Sequence, residues 1–404
     1  MNFIKKLGPG LLFAGAAIGV SHLVQSTRAG AGYGFGLLWA LLVIHGVKYP
    51  FFQFGPRYTT AVGESLISGY NRLGKWVLWL YFILTLATMF TIQAAVTIVT
   101  AGLASYLFGV STNIVLWSLI VLVVSGLILY IGKYGFLDNL MKFIVVILTL
   151  TSVVAVFSGF MHTETAFDWR IEFPKETAGL AFFIAFLGWM PAPLDVSIWQ
   201  SLWTSEKQKE IGATFSTGQS IFDFNVGYVG TIITGFLFMS LGALAFYHSG
   251  IALSPKAGAF AKQLIDIYKN NLGNGVGWFV GVAAFMTMFS TTITALDASP
   301  RAMAKTTQLL FNTKNPKAYL WWMLLLIVGS IVILEFFITS MGAMIKLATI
   351  VSFLTAPFYA IANLVLVSGK QMPEAWRPST AMKIWSWLGI VFLIGFGVWY
   401  LWSL

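Results

Sequence analysis

The sequence predicts an all-α integral membrane protein with eleven transmembrane helices, arranged as a five-plus-five inverted repeat in which helices 1 and 6 are discontinuous. Three observations lead there. Of its 404 residues, 58% are apolar and only 9% charged, with a mean hydropathy of +0.82. Those values lie outside the range of soluble domains and inside that of multi-span proteins. Eleven stretches are each long enough for roughly 30 Å of hydrocarbon. Two of them are interrupted midway by residues that spoil a helix, Gly19-Val20-Ser21-His22 in the first and Trp189-Met190-Pro191-Ala192-Pro193 in the sixth. Hydrocarbon leaves the N–H and C=O groups freed by such a break unsatisfied, so a break persists only where it lines a cavity or is buried in protein. A polar chamber at mid-membrane depth follows.

The first span, 9–31, opens with Gly8-Pro9-Gly10 and runs into its break, with no small-residue cleavage site, so it is a span and not a signal peptide. The second, 36–54, carries His45 and Lys48 three residues apart, on one helical face. The loop 57–75 mixes apolar and polar residues as an interfacial helix does. Spans 76–106, 113–131 and 141–160 complete the first repeat, about 9–160. The second repeat, about 179–367, starts with the broken span 179–203 and continues through 215–246, 274–297, 318–338 and 343–367. Within it, Ala257 to Lys269 reads as an interfacial segment on the outer side. Five spans per repeat is an odd number, which inverts the second copy. The eleventh span, 383–403, is appended, and residues 1–403 form one transporter domain.

The net charge of +10 needs no nucleic acid to explain it. With an intracellular N-terminus, sixteen Lys and Arg fall on the cytoplasmic side, among them Lys5, Lys6, Arg57, Arg72, Lys133, Arg301 and Arg377. Six fall outside, Arg28, Arg170, Lys175, Lys256, Lys262 and Lys269, while Lys48 and Lys346 lie within spans. The excess places the N-terminus in the cytoplasm and the C-terminus outside, in a multi-pass protein of the plasma (inner) membrane. The partners expected are membrane lipid and a small ion or solute; the oligomeric state is left open. There is no cysteine, hence no disulfide or thiolate metal site. Neither a His-Glu-x-x-His zinc motif nor a Gly-x-Ser-x-Gly nucleophile turn is present, so no enzyme is expected. No resident cofactor is expected either.

Acidic residues inside spans are costly and therefore functional candidates. Asp195 follows the sixth-span break, where it serves either as a helix N-terminal carboxylate or as a ligand facing the chamber. Asp223 and Asn225 in the seventh span, with Gln219 one turn earlier, form a stripe that either lines a pathway or bonds neighbouring helices. Asp297 and Glu335 lie near interfaces, where hydration suffices to explain them. Lys48 either pairs with an Asp or serves as a fixed internal cation. Ser290, Thr291, Thr292 and Thr294 either back-bond within their helix or, with the first span, hold sodium through hydroxyl and carbonyl oxygens.

Several motifs, taken in order along the chain, resemble those of the Nramp divalent-metal transporters. Gly8-Pro9-Gly10-Leu11-Leu12, Ala29-Gly30 and Tyr33-Gly34-Phe35-Gly36-Leu37-Leu38-Trp39 are similar to that family's first span and following turn. Met190-Pro191 matches its sixth-span Met-Pro, Ser290 to Thr294 its eighth-span hydroxyl run, and Ala356-Pro357-Phe358 its Leu-Pro-Phe. The resemblance implies a LeuT-type fold and alternating-access transport of a divalent metal cation. The departures are specific. The family's Asp-Pro-Gly-Asn reads Gly19, Val20, Ser21, His22, and its Met-Pro-His-Asn reads Met190, Pro191, Ala192, Pro193. A further family histidine falls on Ser197, and the third span offers Gln93 where the family has acidic proton-pathway residues. The usual proton route is therefore not expected.

Under this reading Gly19, Ser21, His22, Leu187, Met190 and Asp195 form the substrate site. His22, at the family's Asn position, supplies an imidazole, Met190 a thioether, and Asp195 the anionic charge lost at Gly19, as metal ligands. Backbone carbonyls near Gly19 and Leu187 complete it. Lys48, Asp223, Asn225, Ser290, Thr291 and Thr294 are assigned to coupling or the pathway. The alternative on the same fold is a sodium-coupled symporter of a small organic solute, with Ser290 and Thr291 holding the ion.

Overall fold

The computed structural model describes residues 7–132, 134–162, 169–211, 215–247, 252–272, 274–336 and 340–402. Lys5, Lys6 and Lys133 lie outside them. Among the described residues every regular element is helical. The first span is α1 (Pro9–Ala17), a π-helical turn (Ser21–Ser26) and α2 (Thr27–Tyr33), the two halves meeting at 45°. It is followed by α3 (Leu38–Val62), the short α4 (Leu66–Leu73), α5 (Lys75–Phe108), α6 (Ile114–Ile131) and α7 (Tyr134–His162). The sixth span is split into α8 (Thr177–Trp189) and α9 (Val196–Ile211). The remaining helices are α10 (Thr217–Phe246), α11 (Ala257–Leu272), α12 (Asn274–Phe311), α13 (Ala318–Phe336), α14 (Met341–Ser368) and α15 (Thr380–Trp402).

Each of the eleven expected spans coincides with one of these helices or helix pairs. Seven described helices and the bent first pair pass a length-and-apolarity test for crossing a membrane. The split sixth span misses it because α8 has only thirteen residues and α9 carries Glu206, Lys207, Lys209 and Glu210. The interfacial segment expected at 57–75 is shorter than predicted. Helix α3 continues through Pro50 and Pro56 to Gly63, whose φ of 82° stops it, and only α4 remains.

Polar groups close several helix ends locally. Asn113 and Ser340 accept N–H bonds at the starts of α6 and α14, and Ser216 with Gln219 forms a capping box on α10. That box occupies the Gln219 that was expected to pair with Asp223. Residues such as Leu116, Ile120 and Val123 on α6, Trp321, Leu324 and Val328 on α13, and Trp387, Val391 and Val398 on α15 are exposed, as suits a hydrocarbon surround.

The two broken spans are the interior. The first lies against α10 so closely that a Cβ on Gly10 would overlap the Asp223 carbonyl, and one on Gly227 would overlap that of Gly10. Farther along, Gly30 meets the Met239 carbonyl and Gly242 that of Thr27 in the same way. Small residues let backbones approach this far, which matters where packing drives helix association in lipid.

Candidate functional site

Helix α1 ends because Ile18 leaves helical geometry, and the carbonyls around it then need partners from elsewhere. Ala17 O receives the Gly19 N–H at 2.9 Å. The Thr291 hydroxyl, from α12, lies 3.1 Å from Gly15 O and 3.4 Å from Ile18 O. A Cβ on Gly19 would come within 2.6 Å of Thr291 Oγ1, so glycine is what lets α12 reach the break. Thr291 therefore lies against the first span, while its hydroxyl also back-bonds to Thr287 O at 3.2 Å. Ser290 and Thr294 do not: their hydroxyls back-bond to Thr287 O at 2.7 Å and to Ser290 O and Thr291 O at 3.0 Å.

The two breaks are joined through Ser21, whose Oγ lies 3.1 Å from Pro191 O, 2.5 Å from Ala17 O and 2.7 Å from His22 Nδ1. His22 Nε2 is 3.0 Å from Thr231 O on α10. His22 Nδ1 also lies 2.9 Å from Ala17 O, so both ring nitrogens have partners within hydrogen-bond distance. His22, expected as a metal ligand, is here engaged within the protein. Its imidazole is wholly buried and directed at α10, with neither nitrogen open.

On the sixth-span side, Lys48 of α3 donates to Leu187 O at 2.8 Å, Gly188 O at 2.7 Å and Ala192 O at 3.2 Å. Its bonds go to these three carbonyls, and no Asp lies within ion-pair distance of it among the described residues. The carbonyl of Leu187, nominated for substrate, is thus in contact with an ammonium. Met190 is fully buried at the end of α8.

Between the breaks lies a cavity of about 30 Å³, lined by Ala16, Ala17, Val20, Ser21, Ile92, Val96, Trp189, Pro193, Val196, Trp199, Thr291 and Ala295. Ser21 and Thr291 are its nominated members; His22, Met190 and Asp195 are not on its wall. The sequence shows Trp189 only as part of the break and does not single out Trp199; the two, ten residues apart across the break, both line this cavity. A larger cavity, of about 780 Å³, lies away from both breaks, between α5, α6, α11 and the facing ends of α13 and α14, and exposed Glu335 on its wall fits the hydrated reading.

Asp195 is 6% exposed and its Oδ1 has no hydrogen-bond partner, at the start of α9, where the Val196 N–H donates to Pro193 O at 3.1 Å. It is in electrostatic reach of Lys48 and of Tyr70, Tyr81 and Tyr359. The hydroxyls of Tyr81, Tyr359 and Thr85 are buried in one cluster, with Thr85 in reach of both tyrosines. These hydroxyls had no sequence signal, since tyrosines in spans are common.

Two acidic residues are structural. Asp223 accepts Gly8 N–H at 3.0 Å and Gly10 N–H at 2.7 Å, capping α1 from another helix, which corrects its assignment to the pathway. Asn225 accepts from Tyr49 at 2.9 Å, the interhelical reading. Asp297 was expected to be hydrated, yet it is 2% exposed and held by Arg301 at 2.7 Å, Tyr319 at 3.0 Å and Trp203 Nε1 at 3.1 Å. That network ties α9, α12 and α13 together. Asp297→Asn leaves the Arg301 guanidinium without its counter-charge and is expected to lower stability by about 3 kcal/mol, read as a lower denaturation midpoint in detergent.

Two broken spans that meet at Ser21 and Pro191, with a small cavity between them, define a secondary transporter of the discontinuous-helix class. The sequence matches the Nramp family, natural resistance-associated macrophage protein-like, over residues 10–403. The chain belongs to that family. A protein of Pasteurella multocida (strain Pm70), of uncharacterized function, is 37% identical over 368 residues, 89% of this chain and 84% of the relative. A mutant of the manganese transporter of Eremococcus coleocola superposes with a TM-score of 0.77 at 14% identity, covering 98% of this chain and 85% of that one. MhsT in complex with L-phenylalanine gives 0.63 at 13% identity, covering 98% and 99%. A nucleobase-cation-symport-1 family transporter with bromovinylhydantoin bound gives 0.62 at 12%, covering 98% and 92%. The fold is thus LeuT-type, and the chain is a membrane transporter, not an enzyme.

Proposed function

We propose that this protein carries a divalent metal cation across the membrane by alternating access, with its N-terminus in the cytoplasm. The observation that carries the reading is the size of the space between the breaks. About 30 Å³ accommodates one ion or one water, whereas drug-sized organic ligands occupy several hundred. Membership of the Nramp family and the likeness to a manganese transporter point the same way. Ser21 Oγ, the break carbonyls and, after rearrangement, the Asp195 carboxylate are the oxygen donors near the junction, a set suited to hard ions such as manganese or magnesium. Among the described residues no group of three or more His, Asp or Glu side chains is poised for a metal, so the ion depends on carbonyls and a single carboxylate. The family's proton route has no counterpart on α5, which contains no Asp or Glu. Gln93 there binds Thr97 and the Thr292 carbonyl.

The second reading, sodium-coupled symport of an organic solute, is favoured by the apolar wall that Ile92, Val96, Trp189 and Trp199 give the cavity. Uptake into proteoliposomes separates the two. Manganese or magnesium accumulation that is indifferent to sodium supports the metal reading; silence toward all divalent ions, with sodium-stimulated uptake of an aromatic solute, rejects it.

A further inference from the structure

Lys48 is fully buried, and its ammonium meets three carbonyl oxygens within 2.7–3.2 Å, two from the last turn of α8 and one from inside the break. Three acceptors match the three N–H bonds of an ammonium; a neutral amine has only two, and would turn its lone pair toward the third oxygen. The last carbonyls of α8 also form the negative end of a helix dipole. Converging carbonyl oxygens that replace an ion's water are how membrane proteins hold alkali cations. We propose that the sixth-span break is a monovalent-cation site, of the alkali and alkylammonium class, which Lys48 fills from within as a tethered cation.

One ammonium thereby ties the end of α8, at Leu187 and Gly188, to the open backbone of the break at Ala192. It also means that any cation approaching the Leu187 carbonyl must displace that ammonium, for which the Asp195 carboxylate, in electrostatic reach and with one oxygen unpartnered, offers the receiving charge. The inference goes beyond the transport reading and stands whether or not the cargo is a metal.

The chain contains no cysteine, so Lys48→Cys introduces a unique thiol. Alkylation with 2-bromoethylammonium, in which the thiolate displaces bromide, rebuilds an ammonium at lysine length; 1-bromopropane builds a neutral chain of that length. The full-length Lys48→Cys protein in detergent is expected to melt roughly 5–10 °C below wild type, having lost three charge-assisted hydrogen bonds. Aminoethylation restores most of that difference and propylation does not. In Lys48→Ala, propylammonium chloride raises the melting temperature and n-propanol leaves it unchanged. Equal recovery by both alkylating agents, wild-type melting of unmodified Lys48→Cys, or a folded Lys48→Ala indifferent to propylammonium would each overturn the proposal. Should neither small side chain give folded protein, recovery of Lys48→Arg but not Lys48→Met upholds it, and recovery of Lys48→Met at the wild-type temperature, or loss of both, overturns it. None of these readings involves manganese, so failure of metal uptake is distinguishable from failure of the cation site.

Discussion

Gly227→Ala and Gly242→Ala are each expected to abolish the recovery of monodisperse protein, while Gly230→Ala, on the same helix α10, is expected to be neutral or slightly stabilising. At Gly227 the added methyl overlaps the carbonyl of Gly10, and at Gly242 that of Thr27; both obstacles are backbone, which no rotamer change can move aside. Accommodating either requires the first span and α10 to separate. Separation at Gly227 also pulls Gly8 and Gly10 away from the Asp223 carboxylate, which costs two N–H donors their acceptor in a non-aqueous interior. Overpacking of about 1–3 kcal/mol thereby adds to the loss of charge-assisted bonds of about 1.5–3 kcal/mol each, which together is comparable to the whole stability of many domains. Gly230 has nothing within 4 Å of its added methyl, so only its helix propensity changes, in alanine's favour by about 1 kcal/mol. Size-exclusion profiles and thermal melts of the three variants check this. Recovery of Gly227→Ala as readily as Gly230→Ala would show that the close crossing does not exist.

The breaks were legible because their cause is local. Gly19 and the pair Pro191 and Pro193 spoil a helix whatever surrounds them, and hydropathy shows that the surroundings are apolar. Thr291 against the first span was legible for a different reason, through the general plan of inverted-repeat transporters. What the sequence could not display was the choice each polar side chain made among distant partners. His22 turns to Thr231, 209 positions away, and Asp223 reaches back to Gly8 across 215. The sequence assigns His22 to the substrate site and leaves Asp223 between a pathway and interhelical bonding, because burial of a polar group looks the same whether its partner is a cargo or a carbonyl. Asp297 erred in the opposite direction. Its position near a span end suggested water, but Trp203, Arg301 and Tyr319 converge on it from three helices. Lys48 stood between two stated roles, and only the placement of the α8 terminus could decide.

Asp195→Asn is expected to lower the initial rate of manganese uptake by about 100-fold, an order of loss typical when a single positioned charge is removed from a functional site, while leaving the melting temperature unchanged or higher. The reasoning starts from what its neighbours lack. Asp223 and Asp297 have their oxygens engaged, and Glu335 is exposed. Asp195 is the buried carboxylate with an unpartnered oxygen among the described residues, in electrostatic reach of Tyr70, Tyr81 and Tyr359. A charge kept dry without full compensation costs stability, so a neutral isostere relieves the fold even as it removes the anionic group the cargo would need. The Lys48 ammonium retains its three carbonyls in the variant and creates no new orphan. A purely structural role at the start of α9 predicts the reverse pattern, since losing a helix N-terminal carboxylate lowers stability by about 0.5–2 kcal/mol and has no reason to touch transport. Parallel uptake and melting measurements on one preparation therefore decide between them: slower uptake with intact melting places the carboxylate on the ion's path, and intact uptake with lower melting reduces it to a cap.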